Sequence, residues 1–294
     1  MSFLSGFIAI VGPPNVGKST LLNRVLGTKV AIVSPKPQTT RNRIIGVYHG
    51  DGFQMVFMDT PGIHKTRTAL HKSMVQSALA TFQEVDVLVV MIEMGRPEEI
   101  ENSQVIGNLE GIKKPCLLAI NKIDTGSRDQ LLPIISRCSQ RYPFDAILPI
   151  SALTGDGMDG LLEELKSRLQ PGPQFFPEEM NTDQTEYFLV SEIIREKIYL
   201  HLSQELPYSS AVTVEYMEEN AKKNLLSIAA RIHVETNSQK GILIGKGGRM
   251  IKAIGRSARM ELEQRFGVHV YLDLTVRVEK NWSKNAQALR RLGY

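Results

Sequence analysis

The sequence is poor in cysteine and has no apolar run long enough for a membrane span, and these absences exclude several classes of protein. Its two cysteines, Cys116 and Cys138, do not form a C-x-x-C pair, which argues against a disulfide framework and against a cysteine–zinc site. The most prominent apolar run, residues 87–92, is far shorter than the roughly 20 residues that a transmembrane helix requires. No basic group precedes the apolar N-terminal residues, so we predict a strand there and no signal peptide. We therefore expect a protein of the reducing cytoplasm.

Charge is distributed unevenly in the C-terminal part of the chain, although the net charge is only +4. Residues 178–219 contain ten acidic and two basic side chains, whereas residues 236–260 contain six basic side chains and no acidic one. The six are Lys240, Lys246, Arg249, Lys252, Arg256 and Arg259. A segment of one sign is a candidate binding face for a polyanion such as a nucleic acid, and a solvated helix surface is the simpler alternative.

The first part of the chain alternates apolar runs with segments of helix length. The runs cover residues 7–11, 53–59, 86–93, 115–121 and 146–151. Such runs, rich in valine and isoleucine and separated by helices, are typical of a mostly parallel sheet covered on both faces, a three-layer α/β fold. We also predict an antiparallel pair of strands around the turn at residues 50–52.

A proline-containing stretch without periodicity follows this first part and is predicted to be a linker. After it, the pattern predicts a helix, two alternating strands, a glycine-rich loop, a long helix and a last strand. We therefore divide the chain into a first domain at 1–172, a linker at 173–185, and a second, smaller α+β domain at 186–294.

The segment GPPNVGKS, residues 12–19, matches the phosphate-binding pattern G-x-x-x-x-G-K-[ST] and lies between a predicted strand and a predicted helix. In such a loop, the backbone amides and the helix N-terminus surround a polyphosphate. Lys18 is expected to contact the outer phosphates, and the Ser19 hydroxyl is expected to bind Mg²⁺. The segment therefore predicts a site for a nucleoside triphosphate.

Three further segments, each at the end of a predicted strand, indicate that the nucleotide carries guanine. DTPG, residues 59–62, supplies an aspartate that can reach the Mg²⁺ shell through water and a glycine amide for the terminal phosphate. NKID, residues 121–124, supplies Asp124 to accept hydrogen bonds from the guanine ring N–H and exocyclic amine, which adenine does not present. SAL, residues 151–153, supplies a backbone amide for the guanine oxygen. Together they predict a GTP-binding protein that rejects ATP.

These segments, together with PQTTR at residues 37–41, resemble the Era family of bacterial GTPases over essentially the whole chain. The resemblance implies GTP and GDP as ligands, Mg²⁺ as a cofactor bound by Ser19 and a threonine of the mobile PQTTR switch segment, and slow hydrolysis of GTP. Thr40 is our choice for that threonine, and Thr39 is the alternative. The implied catalytic residues are Lys18, Thr40, Asp59 and Gly62. The expected nucleotide-binding residues are Gly12, Pro13, Pro14, Asn15, Val16, Gly17, Lys18, Ser19, Thr20, Asp59, Thr60, Pro61, Gly62, Ile63, Asn121, Lys122, Asp124, Ser151, Ala152 and Leu153.

The resemblance also implies partners. Era-family proteins pair a GTPase domain with an RNA-binding KH domain and act in maturation of the small ribosomal subunit, near the 3′ end of its 16S rRNA. The implied partners are therefore this rRNA and the 30S subunit, with the nucleotide state gating RNA binding. A peripheral contact with the inner face of the cell membrane is implied in the same way, and we expect a monomer.

One position departs from Ras-like enzymes. After DTPG the chain has Ile63, where those enzymes have a glutamine that orients the attacking water. A hydrophobic side chain cannot orient water, so another group or ion must assist hydrolysis. Asn15 occurs in relatives that use a bound potassium ion, which makes K⁺ a candidate cofactor. The competing hypothesis is an RNA-binding module in which GTP is a largely structural ligand.

A second loop rich in glycine and lysine lies within residues 241–255. It matches neither the phosphate-binding pattern G-x-x-x-x-G-K-[ST] nor the glycine fingerprint of dinucleotide-binding proteins. It contains G-x-x-G, the signature of KH domains, in which the loop clamps about four backbone nucleotides of a single strand. The expected RNA-binding residues are Gly245, Lys246, Gly247, Gly248, Arg249 and Lys252. At helical spacing, Arg249, Lys252, Arg256 and Arg259 share one face, and Ile251, Ile254, Ala258 and Leu262 lie on the other. For G-x-x-G alone, an ordinary turn between helices is the alternative.

The aromatic residues and histidines suggest no further site. We predict that Trp282 and the tyrosines pack in the interior and do not stack on nucleic-acid bases. The six histidines have no HExxH or paired ligand spacing, so we interpret them as core or surface residues and not as metal ligands.

Overall fold

The computed structural model describes residues 2–34, 36, 39–62, 69–98, 104–109, 111–202 and 206–294. The chain folds into two compact units, each with its own sheet. The main break between the units lies between Asp183 and Gln184.

The first unit is built on a seven-stranded sheet. Its strands are β1 (Leu4–Val11), β2 (Ile44–Gly50), β3 (Phe53–Asp59), β4 (Val87–Glu93), β5 (Cys116–Asn121), β6 (Ala146–Pro149) and β7 (Gln170–Pro171). The order is β2-β3-β1-β4-β5-β6, and the short β7 pairs with β1. The β2–β3 and β1–β7 pairs are antiparallel, and all other neighbours are parallel. This confirms the predicted α/β sheet and its antiparallel pair, although β7 was not predicted.

Helices flank this sheet and cover its central strands. In the described part of the first unit they are α1 (Lys18–Leu26), α2 (Ala69–Glu84), α3 (Gln104–Leu109), α4 (Leu131–Arg141) and α5 (Met158–Lys166). Every residue of β5 is buried, which requires cover on both faces because successive side chains alternate between them. Parallel strands end at one edge of the sheet, so the loops after β1, β3, β4 and β5 lie together there.

The stretch that follows the first sheet is hydrogen-bonded back to it. Gln54 of β3 is fully buried. Its side-chain Oε1 accepts hydrogen bonds from the amides of Phe175 and Phe176, and its Nε2 donates to the Phe176 carbonyl at 2.8 Å. Further along, the Val47 amide of β2 donates to the Asn181 carbonyl at 2.9 Å. Part of the expected linker is therefore attached to the edge of the sheet.

The second unit is a three-stranded sheet with helices. Its elements are α6 (Glu186–His201), β8 (Ala211–Asn220), β9 (Leu225–Val234), α7 (Asn237–Ile244), α8 (Arg249–Phe266), β10 (His269–Val278) and α9 (Ala286–Arg291). The strand order is β10-β9-β8, with β9 parallel to β10 and antiparallel to β8. Ile254, Ala258 and Leu262 of α8 are buried against apolar residues of the sheet. The predicted smaller α+β fold is confirmed.

The packing prediction for the aromatic residues is correct for some and wrong for others. Trp282 is fully buried and stacks on the Tyr294 ring, with centroids 5.8 Å apart. Tyr187, Tyr216 and Tyr271 are instead 45 to 60% exposed. Tyr271 lies on a strand whose side chains alternate in exposure, and composition alone does not tell which side a tyrosine occupies. Tyr216 follows a β-bulge after Val214, which leaves Glu215 and Tyr216 both exposed.

Candidate nucleotide site and nucleic-acid interface

The loop between β1 and α1 is closed around its own lysine. Lys18 is only 6% exposed, and its Nζ donates to the carbonyl oxygens of Gly12 at 3.1 Å and Pro13 at 2.8 Å. Gly17 has a φ of 106°, and a Cβ there would lie 2.3 Å from Nδ2 of Asn121. Glycine is therefore required at this point, because both the backbone angle and the neighbouring amide exclude a larger residue.

Three hydroxyl and carboxyl groups from separate segments meet beside Lys18. Ser19 Oγ of α1 donates to Asp59 Oδ2 at 2.6 Å and lies 2.9 Å from Thr40 Oγ1. Thr40 Oγ1 in turn lies 3.3 Å from the same Asp59 oxygen. The Thr39 hydroxyl points elsewhere and donates to the Lys36 carbonyl at 2.8 Å, so the geometry favours Thr40 as the switch threonine. Pro37 and Gln38 of the same segment lie outside the described residues.

The Asp59 carboxyl is poised to interact with a cation. Burial raises its pKa above the ordinary value, while the Lys18 charge and hydrogen bonds from Ser19 and Thr40 oppose that effect. Its Oδ1 is buried and has no hydrogen-bond partner among the described residues. A buried carboxylate oxygen without a partner is costly, and oxygen donors of this kind are those that Mg²⁺ prefers. Ser19, Thr40 and Asp59 therefore fit a magnesium site.

The segment after β3 approaches the phosphate loop closely. The Thr60 hydroxyl is buried and donates to the Ile10 carbonyl of β1 at 2.9 Å. A Cβ at Gly62 would come within about 3.0 Å of the Pro14 ring and backbone, so a larger residue would press against the loop. Pro61, between Thr60 and Gly62 in the chain, is also buried. Ile63 lies outside the described residues.

At the other end of the site, Asn121 joins two loops. Its Nδ2 donates to the Val16 carbonyl of the phosphate loop at 2.7 Å, and its Oδ1 accepts from the Ala152 amide at 2.9 Å. The Ser151 hydroxyl donates to Asp124 Oδ1 at 2.6 Å. The NKID and SAL segments are thus brought together, and a short hydrogen bond holds the Asp124 carboxyl group in place.

A cavity of about 350 Å³ lies against the phosphate loop and the threonines of the switch segment. Nine residues that were expected to bind nucleotide or metal line it: Pro14, Asn15, Gly17, Lys18, Ser19, Thr20, Thr40, Gly62 and Lys122. Thr39, the alternative to Thr40 as the metal ligand, lines it as well. Lys122 has a left-handed φ of 64° and forms an ion pair with Glu93 at 2.7 Å. The expected base-binding residues Asn121, Asp124, Ser151, Ala152 and Leu153 do not line this cavity. Leu153 is 68% exposed and lines a separate cavity of about 320 Å³ with Ala152.

Five residues that line the cavity were missed in the sequence: Ile32, Val33, Ser34, Glu93 and Arg96. For Glu93 and Arg96 a signal exists, because they end β4 or follow it, and ligands of such sheets bind at the carboxyl ends of the strands. For the other three no pattern in the sequence distinguishes them from an ordinary loop.

The second glycine-rich loop joins α7 to α8. Gly245, Gly247 and Gly248 all have positive φ, of 71°, 62° and 76°. A Cβ at Gly245 would lie 2.9 Å from Met250 Cβ, whereas one at Gly247 would meet nothing within 4 Å. Lys246 at the tip is exposed. The loop therefore presents a bare backbone turn and one positive charge to solvent.

A groove of about 410 Å³ runs beside this loop, between α8 and β10. Its residues are Ile251, Lys252, Gly255, Arg256, Arg259, Leu272 and Leu274. Arg249, Lys252, Arg256 and Arg259 are all exposed, as the helical periodicity predicts. Apolar side chains with a basic rim suit the bases and the phosphates of a single strand, respectively.

The described residues contain no group of three or more histidine, cysteine, aspartate or glutamate side chains placed to hold a metal ion. None of their helices is both long and apolar enough to cross a membrane.

Comparison with known proteins matches both units. A family model described as a 50S ribosome-binding GTPase matches residues 7–122, and a KH domain model matches residues 205–283. The chain is similar to proteins called GTPase Era from Syntrophus aciditrophicus (49% identical over 292 residues, 99% of this chain and 95% of that protein) and from Geobacter metallireducens (48%, 99% and 98%).

Two solved structures are similar over nearly their whole length. A variant of Aquifex aeolicus Era bound to GDP·AlF₄⁻ has a TM-score of 0.93 and 40% identity, covering 100% of this chain and 99% of that one. Era in complex with MgGDPNP and nucleotides 1506–1542 of 16S ribosomal RNA has a TM-score of 0.94 and 40% identity, covering 99% of each chain.

Proposed function

Because the chain belongs to the Era family of GTPases, we propose that it hydrolyses GTP with Mg²⁺ and binds the 3′-terminal region of 16S rRNA during assembly of the small ribosomal subunit. The observation that carries the enzymatic part is the meeting of Ser19, Thr40 and Asp59 beside Lys18. The RNA part is supported by similarity to an Era structure that contains nucleotides 1506–1542 of that RNA.

At the phosphate end of the site, we propose that GTP and Mg²⁺ replace hydrogen bonds that the protein groups make with one another. Lys18 Nζ, which donates to two loop carbonyls here, would donate to phosphate oxygens of GTP instead. The hydroxyls of Ser19 and Thr40 would bind Mg²⁺ directly, and Asp59 would reach it through water. Bound Mg²⁺ supplies charge neutralisation to the phosphates. The Gly62 amide would contact the terminal phosphate.

The base end is proposed to select guanine. Asp124 would accept hydrogen bonds from the ring N–H and exocyclic amine, and a backbone amide of Ala152 or Leu153 would meet the guanine oxygen. Against adenine, the carboxylate would be left without donors, which penalises ATP strongly. Support comes from the 2.6 Å hydrogen bond by which Ser151 holds Asp124.

Turnover is proposed to be slow unless an ion or a partner assists it. The glutamine that orients water in Ras-like enzymes is replaced by Ile63. We propose K⁺ as the assisting ion because Asn15, the residue shared with potassium-dependent relatives, lies in the phosphate loop and lines the cavity.

The second unit is proposed to clamp single-stranded rRNA at residues 245–248, with Arg249 and Lys252 on phosphates. The nucleotide state of the first domain would gate this binding. We propose domain limits of 1–172 and 186–294, with a linker at 173–185. We further propose a monomer that acts in the cytoplasm, with a peripheral contact on the cell membrane as the family resemblance implies.

The test is multiple-turnover phosphate release from GTP, with and without an RNA fragment equivalent to nucleotides 1506–1542. We expect slow release that the RNA alters, and loss of release in Lys18→Ala. If the protein binds GTP tightly but releases no phosphate in either condition, the alternative of an RNA-binding module with GTP as a structural ligand is correct.

A further inference from the structure

Helix α1 carries an arginine that is bonded to the loop of the base pocket. Arg24 lies six residues after Lys18, on the exposed side of the helix. Its Nε donates to the Ala152 carbonyl at 3.2 Å, and its Nη2 donates to the Leu153 carbonyl. The phosphate loop opens α1, so one rigid helix connects the phosphate end of the site to the SAL segment at its base end.

The two bonds orient the backbone of that segment. A trans peptide unit points its carbonyl and its following N–H in opposite directions. With the carbonyls of Ala152 and Leu153 turned toward Arg24, the amides of Leu153 and Thr154 must point away from α1. The planar guanidinium presents its donors in a fixed fork, so it constrains both peptide units at once.

A chain of hydrogen bonds continues from this anchor to the carboxylate that selects guanine. The Thr154 amide donates to Ser151 Oγ at 3.1 Å. The Ser151 hydroxyl then donates to Asp124 Oδ1 at 2.6 Å. Moving the Leu153–Thr154 peptide unit would therefore move the hydroxyl that holds Asp124.

We propose that Arg24 is a positioning residue for guanine selection, acting on Asp124 through the Leu153–Thr154 peptide unit and Ser151. The inference rests on the proposed function, because it presumes that Asp124 contacts guanine. Arg24 lines a cavity of about 320 Å³ together with Ala152 and Leu153, and the proposed role acts through the backbone of that segment. Its removal would loosen the base pocket while leaving Lys18, Ser19 and Asp59 in place.

The test compares the affinities of GDP and IDP. IDP lacks the exocyclic amine from which Asp124 would accept a hydrogen bond. In the wild type, binding of GDP is expected to be clearly tighter than binding of IDP. We expect Arg24→Ala to weaken GDP binding about tenfold and IDP binding about twofold, so the preference narrows about fivefold. Arg24→Lys, which keeps the charge but lacks the fork, should retain part of the preference.

Arg141→Ala is the matched control, since it removes an exposed arginine at the end of α4 and should change neither affinity. A general loss of stability would weaken GDP and IDP equally. An unchanged ratio of the two affinities in Arg24→Ala would overturn the inference. Failure of the wild type to bind GDP at all would instead overturn the proposed function.

Discussion

The Ser151 hydroxyl donates a 2.6 Å hydrogen bond to Asp124 Oδ1, although 27 residues separate the two in the chain. Ser151 is fully buried whereas Asp124 is exposed, so the bond ties an exposed carboxylate to a buried anchor. A donor at this distance restricts the rotation of the carboxylate. The residue that would recognise guanine is thus held in place by a bond within the protein.

Replacing this serine should therefore loosen the nucleotide. We expect Ser151→Ala to raise the dissociation rate of GDP about tenfold, since a hydrogen bond to a charged group is lost. Stopped-flow release of a fluorescent GDP analogue measures this rate. Ser139→Ala, which removes an exposed hydroxyl bonded to the Ser136 carbonyl, should leave it unchanged. Equal rates in the wild type and Ser151→Ala would contradict the role of the bond.

The neighbouring threonines of the switch segment provide a matched pair. Thr40→Ala should lower GTP hydrolysis roughly a hundredfold at low Mg²⁺ because a hydroxyl ligand of the metal is removed. Thr39→Ala removes the same group from a bond to a backbone carbonyl and should change the rate less than about threefold. Hydrolysis measured across a Mg²⁺ titration distinguishes the two. The opposite ranking would assign the metal to Thr39.

The phosphate-loop asparagine predicts a dependence on the monovalent cation. Hydrolysis should be faster in potassium than in sodium at equal ionic strength. Asn15 has a positive φ of 65°, so Asn15→Gly keeps the backbone conformation while removing the amide. In that variant we expect equal rates in the two salts. A wild-type rate that is the same in both would exclude K⁺ as the assisting ion.

The glycine-rich loop of the second unit can be altered without crowding the fold. A Cβ at position 247 meets nothing within 4 Å, so an aspartate there is strained only by the φ of 62°, and Lys246 is exposed. Replacing Lys246 and Gly247 by aspartates should weaken binding of the single-stranded 3′ rRNA fragment about a hundredfold, because the phosphates are repelled. GDP binding should be unchanged.

The control for charge is the pair Lys222→Asp and Lys223→Asp, made on the exposed turn between β8 and β9. It changes the net charge at least as much and should weaken RNA binding far less. Wild-type affinity of the double-aspartate loop variant would show that residues 245–248 form only a turn.

The second unit should also lose stability at mildly acidic pH. Burial lowers the pKa of His233 to about 4, and the charges of Arg231, Arg291 and Arg277 act in the same direction. The Glu215 charge acts in the opposite direction but does not reverse the pKa shift, and Glu279 lies 3.1 Å from the Nδ1 atom. The native state therefore holds this imidazole neutral.

Because the pKa is lower in the folded than in the unfolded chain, the unfolded chain binds the proton first. Stability is complete above about pH 6.5 and falls as the pH approaches 4. Between pH 7.5 and 5.5 we expect His233 to cost up to about 1 kcal/mol, allowing for solvent screening. Urea unfolding followed by fluorescence reports on this unit alone, since Trp282 is the single tryptophan. His233→Gln should show a smaller loss over the same range, and an equal loss would contradict the assignment.

Much of the fold and part of the site were predictable because their signals are local. The residues of the phosphate loop are contiguous in the sequence, Asp59 ends an apolar strand, and Asp124 follows one within three residues. Glu93 and Arg96 were missed because their relevance arises only when β4 takes its place beside β1. The two hydrogen bonds from Arg24 to the SAL segment span 128 and 129 positions of the chain, and no local sequence pattern predicts contacts of that range.

The buried amide of Gln54 makes the order of synthesis matter. Its partners Phe175 and Phe176 are synthesised 121 and 122 residues later, after all seven strands of the first sheet. Until they arrive, that buried position holds a polar group without those hydrogen bonds, at a cost of roughly 1 to 3 kcal/mol. On a translating ribosome, the hydrogen bonds of the buried Gln54 side chain are therefore completed only once the stretch leading to the second domain has emerged.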